Sequence, residues 1–255
     1  MSPPMLDTGW SPPSRVRAAF TLRSGGASAA PWDSLNLGLH VGDDPLSVAH
    51  NRRRVAQALS LPAEPRWLAQ VHGVAVHHAP LEAPLADALA AVPPTADAAV
   101  TRDPGVVLAV MVADCLPVLL TSADGSVLGA AHAGWRGLVA GVIERTVEAM
   151  GHDPAGLEAW LGPCIGPRHF EVGEEVREAF LAAGDAASAF EATPGGRWLC
   201  DLPALAKARL ARLGVTRVAG GQWCTVADPV RFFSHRRDRQ TGRMAALLWR
   251  EATGG

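Results

Sequence analysis

The stretch that most constrains this chain is residues 106–137, VVLAVMVADCLPVLLTSADGSVLGAAHAGWRG. Residues 106–112 are a valine-rich apolar run, residues 116–121 are a second, and residues 127–131 resume the pattern. Asp124-Gly125, between the last two runs, is a hairpin turn signal. The spacing predicts three short buried strands in succession. Two groups able to do chemistry sit at their ends, the thiol of Cys115 and the imidazole of His132. Strand ends hold such groups more firmly than loops do. A cysteine beside an apolar run is commonly a small buried hydrophobe, and a single histidine is commonly a partial-core residue. Gly134-Trp135-Arg136-Gly137 changes the reading of this pair. Glycines let the backbone approach a ligand closely, and Arg136 brings a permanent, forked cation suited to carboxylate or phosphate.

The rest of the chain can bury such strands. Its 255 residues are 48% hydrophobic, enough for one large domain with a sizeable core. Net charge is −2 with mixed signs, which excludes the footprint of a non-specific nucleic-acid binder. Arg231, Arg236, Arg237 and Arg239 form a local cluster, a solvated face or a small-anion site. No basic region followed by an apolar stretch marks a secretory signal, and no run approaches the ~18 apolar residues of a membrane span. A cytoplasmic location is therefore the expectation. Cys115, Cys164, Cys200 and Cys224 lack CxxC spacing, and reduced thiols are expected.

In chain order, residues 1–14 are proline-rich and read as a loose lead-in, with a single domain over 15–255. Residues 16–22 alternate as a strand, followed by a flexible turn at residues 23–28. Residues 32–40 form an irregular apolar loop. Asp44 caps a helix with Pro45 at its first position, reaching about Leu59. Leu46, Val48, Val55 and Leu59 mark its buried face, and residues 50–54 point mostly outward. Residues 66–71 read as a strand leading to His72 and Gly73. His77 and His78 fall on a strand that turns them to opposite faces. Residues 81–95, rich in alanine and proline, are a short helix or an insertion. Residues 138–150 form an amphipathic helix closed by Gly151. A strand over 157–161, a rigid loop over 162–167 and a helix over 174–183 follow. Asp201 caps a helix over 202–213 that stops at Gly214. Strands are expected at 215–218 and 244–249, and residues 229–239 enter a strand before a basic loop. The fold class is α+β.

His72, Cys115 and His132 each end an apolar run. Two imidazoles and a thiolate are a zinc ligand set, and a catalytic zinc keeps three protein ligands and an open position. Their wide separation suits a site assembled by the fold. A Cys–His nucleophile pair without metal fits the same residues, as does a non-catalytic zinc protein, although a purely structural site would want a fourth ligand.

At these residues the chain resembles the YfiH-like family. The motifs are Thr21-Leu22-Arg23-Ser24-Gly25-Gly26, the run from Ser34 through Asn36 and His40 to Asp44, and Gln70-Val71-His72-Gly73. They continue with Ala113-Asp114-Cys115-Leu116-Pro117, His132-Ala133-Gly134-Trp135-Arg136-Gly137 and Thr241-Gly242-Arg243. The match runs from about Phe20 to Leu248. Members have been described as polyphenol oxidases with a laccase label, as purine nucleoside phosphorylases and as a peptidoglycan editing factor. The resemblance implies one domain of mixed sheets packed between helices, likened to certain cysteine hydrolases. It also implies a zinc site of His72, Cys115 and His132. The implied activity is phosphorolysis of adenosine, inosine, guanosine and S-methyl-5′-thioadenosine, with adenosine deamination besides. Arg168-His169-Phe170 and His235-Arg236-Arg237 depart from the family pattern, so the rim of the pocket is expected to differ.

The laccase label fits the residues poorly. Multicopper sites gather many imidazoles in His-x-His pairs, and this chain has nine histidines and no such pair. Copper nonetheless binds N/S donors more tightly than zinc does, so it remains a candidate occupant. For phosphorolysis, Arg23, Arg136 and the nearby glycine turns are candidates to hold phosphate, and Asn36 to meet ribose hydroxyls. The loop around Asn36 also has a use for that amide. Asp114 is a candidate acid or base that alternation turns away from Cys115. The alternative functions are a copper-associated polyphenol oxidase and a Cys115/His132 hydrolase acting on a peptidoglycan precursor. The expected partners are purine nucleosides and phosphate, with no nucleic acid or membrane, and a monomer is the default.

Overall fold

The structure, a computed structural model, describes residues 2–81 and 92–252. Its strands are β1 (Val16–Phe20), β2 (Val76–His78), β3 (Ala98–Thr101), β4 (Val107–Val112), β5 (Leu116–Ser122), β6 (Leu128–Ala133), β7 (Leu157–Leu161), β8 (Glu171–Val172), β9 (Phe190–Ala192), β10 (Trp198–Cys200), β11 (Arg217–Gly220) and β12 (Met244–Arg250). The helices are α1 (Pro45–Ala58), α2 (Trp135–Ala140), α3 (Val142–Met150), α4 (Glu174–Ala182), α5 (Leu202–Leu213) and α6 (His235–Asp238). A six-stranded mixed sheet runs β11-β7-β5-β6-β3-β2, and a three-stranded antiparallel sheet runs β1-β12-β4. A small sheet of β8, β10 and β9 was not foreseen from the sequence, because its strands are only two or three residues long.

Strand alternation, with both faces covered, explains why the central strands β3, β4, β5 and β6 are buried throughout. On β5, Leu116, Val118 and Leu120 pack with Val142, Ile143, Val147 and Met150 of α3. Leu119 faces the opposite way and packs with Phe20, Val110, Trp160, Ala246 and Leu248 between the two sheets. On β12, Ala245, Leu247 and Trp249 face outward and are covered by Leu35, Leu37 and Val55, the last from α1. Helix α3, the six-stranded sheet, the β1-β12-β4 sheet and helix α1 thus form successive layers, the expected α+β arrangement. Each such aliphatic side chain contributes about 1.5–3 kcal/mol on full burial. A polar side chain in these layers must instead find a partner.

Several local expectations are corrected by packing. Residues 66–71 are not a strand: Arg66 and Ala69 make only isolated bridges, to Leu108 and Thr95. Leu46 is 71% exposed, on the outer side of α1. Asn51 and Arg52 of that helix are buried, because their side chains donate to the carbonyls of Ser34, Asn36 and Leu37 in the preceding loop. The helix expected over 138–150 starts earlier, at Trp135, and breaks at Gly141 with φ 97°. Residues 229–239 form turns and α6, not a strand, with Phe232 and Phe233 fully buried. The proline-rich lead-in does not hang free. Leu6 is buried and donates its amide to Phe20, and Thr8 accepts from the Trp160 indole. Most of residues 81–95, those at 82–91, lies outside the described residues.

Helices α3 and α5 are tied together by a buried charge cluster. Arg209 of α5, its side chain 4% exposed, reaches Glu144 of α3 at 3.0 Å and also the fully buried carboxylate of Asp185. Arg212 meets the other Asp185 oxygen at 2.7 Å. Removing one partner of a buried cluster strands the remaining charge. Arg209→Met is therefore expected to cost about 3–5 kcal/mol in urea unfolding. A loss below about 1 kcal/mol, the scale of an exposed pair, would contradict this.

Candidate active site

The site lies where the buried layers end. In the register of β5 and β6, Leu116 opposes Ala133 and Pro117 opposes His132. Cys115, one residue before β5, is thereby brought beside His132 at the end of β6. His72 comes from a turn outside the sheets. The donor atoms of His72, Cys115 and His132 all lie within 4.8 Å of one another. The Cys115 sulfur is 3.6 Å from His72 Nε2, and the two imidazoles meet edge to face with centroids 4.8 Å apart.

One buried carboxylate holds both histidines. Asp97, just before β3, is fully buried. Its Oδ1 accepts from the His72 amide at 2.8 Å, and its Oδ2 from the Val71 and Gly73 amides at 3.2 and 2.7 Å. Oδ1 also lies 2.9 Å from His132 Nδ1, which leaves Nε2 of that ring for the cluster. The His132 amide donates to the Asp97 carbonyl. The Asp97 carboxylate also fixes a left-handed backbone at His72, φ 62°. Gln70 anchors the same turn by exchanging two 2.8 Å hydrogen bonds with the Met111 backbone.

Cys115 is presented by a second strained residue. Asp114 has φ 90°, and its side chain is fully engaged. Oδ1 accepts from the Thr225 hydroxyl and Oδ2 from the Arg236 amide, each at 2.6 Å. Its carbonyl accepts from Ile165. Asp114 thus turns away from Cys115 and serves as an anchor. Glycine is required beside the cluster: a Cβ on Gly134 would lie 2.8 Å from the His72 ring and 2.9 Å from the Cys115 sulfur.

The electrostatics couple thiol and imidazole. Burial opposes ionisation of Cys115, but the charge and hydrogen bond of His132, followed by those of His72, bring its pKa down to about 6. Burial likewise opposes protonation of His132, and the charge of Cys115 with the Asp97 hydrogen bond raises it to about 9. Asp97 is held below the usual carboxylate range: desolvation acts against this, and hydrogen bonds from His132 and the turn amides outweigh it.

The other candidates are placed differently. Arg23 donates to the carbonyls of Asp33 and Pro229 at 3.1–3.2 Å and stacks over Phe233, so its guanidinium ties loops together. The Asn36 amide is buried and saturated. It donates to Gly38 and Asp43 and accepts from the amides of Gly38 and Arg243, leaving nothing for a ribose hydroxyl. Arg136, on α2, is exposed over the Trp135 ring at 4.4 Å and makes no ion pair among the described residues. Two nearby basic residues, Arg243 and His40, lie within motifs of the sequence but were given no role there. Arg243 feels the charges of Cys115 and Asp114, although burial lowers its pKa. Desolvation, followed by Arg243, Arg52 and His132, lowers that of His40. Both side chains flank Gly38.

A family described as multi-copper polyphenol oxidoreductase laccase matches residues 17–251. A Xylella fastidiosa protein named purine nucleoside phosphorylase is 51% identical over 96% of this chain and 96% of its own. Escherichia coli purine nucleoside phosphorylase YfiH is 50% identical over 94% and 96%. The chain belongs to the YfiH-like family. A solved Neisseria meningitidis structure superposes with TM-score 0.89 at 43% identity, covering 99% of this YfiH-like chain and all of that one.

In this YfiH-like chain the donor set fits a metal ion. Two imidazole nitrogens and a low-pKa thiol suit zinc with an open fourth position, and the Asp97–His132 contact is the usual outer support of a ligating imidazole. The sequence offered one hint of Asp97, an acidic residue embedded in the run Ala96-Asp97-Ala98-Ala99-Val100. Asp97→Asn is expected to weaken metal binding about 10–100-fold, read in competition with a chromophoric chelator, and unchanged affinity would contradict it.

Without metal, the thiolate–imidazolium pair sets a pH window. Cys115 stabilises the fold fully above its ordinary 9.0 and loses that contribution as pH falls through about 6. His132 contributes fully below 6.5 and loses it as pH rises through about 9. Chelator-stripped protein should therefore be most stable between about 6 and 9. Cys115 alkylation by iodoacetamide should have its midpoint near pH 6, and a midpoint near the ordinary thiol value would contradict the pairing.

Proposed function

We propose that this chain is a zinc-dependent purine nucleoside phosphorylase acting on adenosine, inosine, guanosine and S-methyl-5′-thioadenosine. The observation that carries the proposal is the His72–Cys115–His132 cluster braced by Asp97, in a chain half identical to proteins named for that activity. Zinc, when bound, would supply Lewis acidity at neutral pH. The chain's own residues would do the rest. Asp97 would keep His132 in one tautomer and His72 in place, and Cys115 would enter as its thiolate. Arg136 would hold phosphate together with Arg243, of which Nη1 alone is engaged among the described residues, by the Thr241 and Gly242 carbonyls. Arg243 would take the place of Arg23, whose three guanidinium nitrogens are used, and Asn36 is not assigned to the ribose. A phosphate oxygen would bond to ribose C1′ as the C1′–N9 bond breaks, and the purine would leave carrying a proton on nitrogen. Adenosine deamination belongs to the same proposal: water adds at the ring carbon bearing the amine, and ammonia leaves.

The multi-copper description of the matching family makes copper the alternative occupant. Among the described residues only one cluster of this type is found, which supports a single-ion site. The lowered pKa of Cys115 specifically favours a second reading, a metal-free cysteine hydrolase. No helix among the described residues is long and apolar enough to cross a membrane, and a cytoplasmic monomer is part of the proposal.

Zinc-replete protein is expected to convert inosine and phosphate to hypoxanthine and ribose 1-phosphate. Arg136→Ala should raise the KM for phosphate about tenfold, the worth of one charge-assisted hydrogen bond. Free ribose released without phosphate would contradict phosphorolysis. Absence of turnover with any purine nucleoside would leave the hydrolase reading.

A further inference from the structure

Asp114, which presents Cys115, also anchors the segment carrying a second thiol. Its Oδ1 accepts from Thr225, the neighbour of Cys224. The Cys224 sulfur lies 3.4 Å from His169 Nδ1 and accepts the Gly166 amide at 3.2 Å. Both side chains are half-buried and line a cavity of about 360 Å³. His72, Cys115 and His132 take no part in its lining. Two exposed cations, Arg168 and Lys207, also line it, and neither makes an ion pair among the described residues. The carboxylate of Asp201 lies in the same wall, where it accepts the Ala204 amide as the cap of α5.

The other thiols lack these surroundings. Cys164 is fully buried, and desolvation followed by neighbouring negative groups raises its pKa well above the ordinary range. Burial, then Asp201, pushes the Cys200 thiol up to about 12. Cys115 belongs to the cluster already described. Cys224 alone among the four combines access, a base within reach and a cavity able to hold a small ligand.

We propose that Cys224 is a second reactive site, taking up small disulfides that bear carboxylates. His169 takes the thiol proton, and the Cys224 sulfur attacks one sulfur of the disulfide. The Cys224–sulfur bond forms as the disulfide bond breaks, and the departing thiolate recovers the proton from His169. Cys224 is oxidised to a mixed disulfide, and half of the small disulfide is reduced to free thiol. Arg168 and Lys207 supply the preference for carboxylates.

The test uses zinc-loaded protein with oxidised glutathione and, separately, neutral hydroxyethyl disulfide, each rate normalised to a free peptide thiol. Peptide mapping by mass spectrometry is expected to place the glutathione adduct on Cys224, with none on Cys164 or Cys200. The normalised rate should favour the charged disulfide by about three- to tenfold, the scale of two exposed cations. Arg168→Ala with Lys207→Ala should abolish that preference while the neutral reagent still reacts. His169→Gln should slow both reagents. An adduct found only on Cys115, no adduct at all, or a preference unaffected by the double substitution would overturn the proposal.

Discussion

The candidate site depends on the carboxylate of Asp97. Unpaired, a buried carboxylate would be costly. Here three consecutive turn amides and one imidazole satisfy it. Its two oxygens therefore set the backbone of His72 and the ring of His132 together. The compensation works in both directions: the carboxylate stabilises a left-handed turn at a non-glycine residue, and the turn amides keep the carboxylate ionised. A ligand from a loop and a ligand from a strand thus become one rigid unit, which is what a preorganised centre requires.

The layered core supplies the rest of the geometry. Strands buried on both faces fix register strongly, because a one-residue slip would exchange their two packed surfaces. The β5–β6 register consequently brings the start of β5, and with it Cys115, beside His132. The final adjustment is made by Asp114, whose positive φ is held by Thr225, Arg236 and Ile165. Strain at His72 and Asp114, on either side of the cluster, follows the tendency of functional sites to hold unusual backbone conformations.

The sequence made His72, Cys115 and His132 legible because each ends an apolar run, and hydrophobic patterning is the strongest local signal a chain carries. The caps at Asp44 and Asp201 were legible for a similar reason, since capping is local chemistry. Asp97 was not, because its partners are a turn about 25 residues earlier and a ring 35 residues later. Arg23 and Asn36 show the converse failure. Their residue types suit phosphate and ribose, yet both are used by carbonyls and amides that only the folded loops bring near. Arg243 and His40 gain their place through tertiary packing around Gly38.

Asp97, His72, Cys115 and His132 form a four-residue unit in which one sulfur and two imidazole nitrogens lie close enough to share a single ion. X-ray absorption at the metal edge of the purified protein tests it most directly. The spectrum is expected to show a zinc edge with one sulfur scatterer at about 2.3 Å and two imidazole nitrogens at about 2.0–2.1 Å. The sulfur shell should vanish in Cys115→Ser protein reloaded with zinc. A shell of light atoms alone in the unsubstituted protein, or a sulfur shell that survives the substitution, would contradict the account.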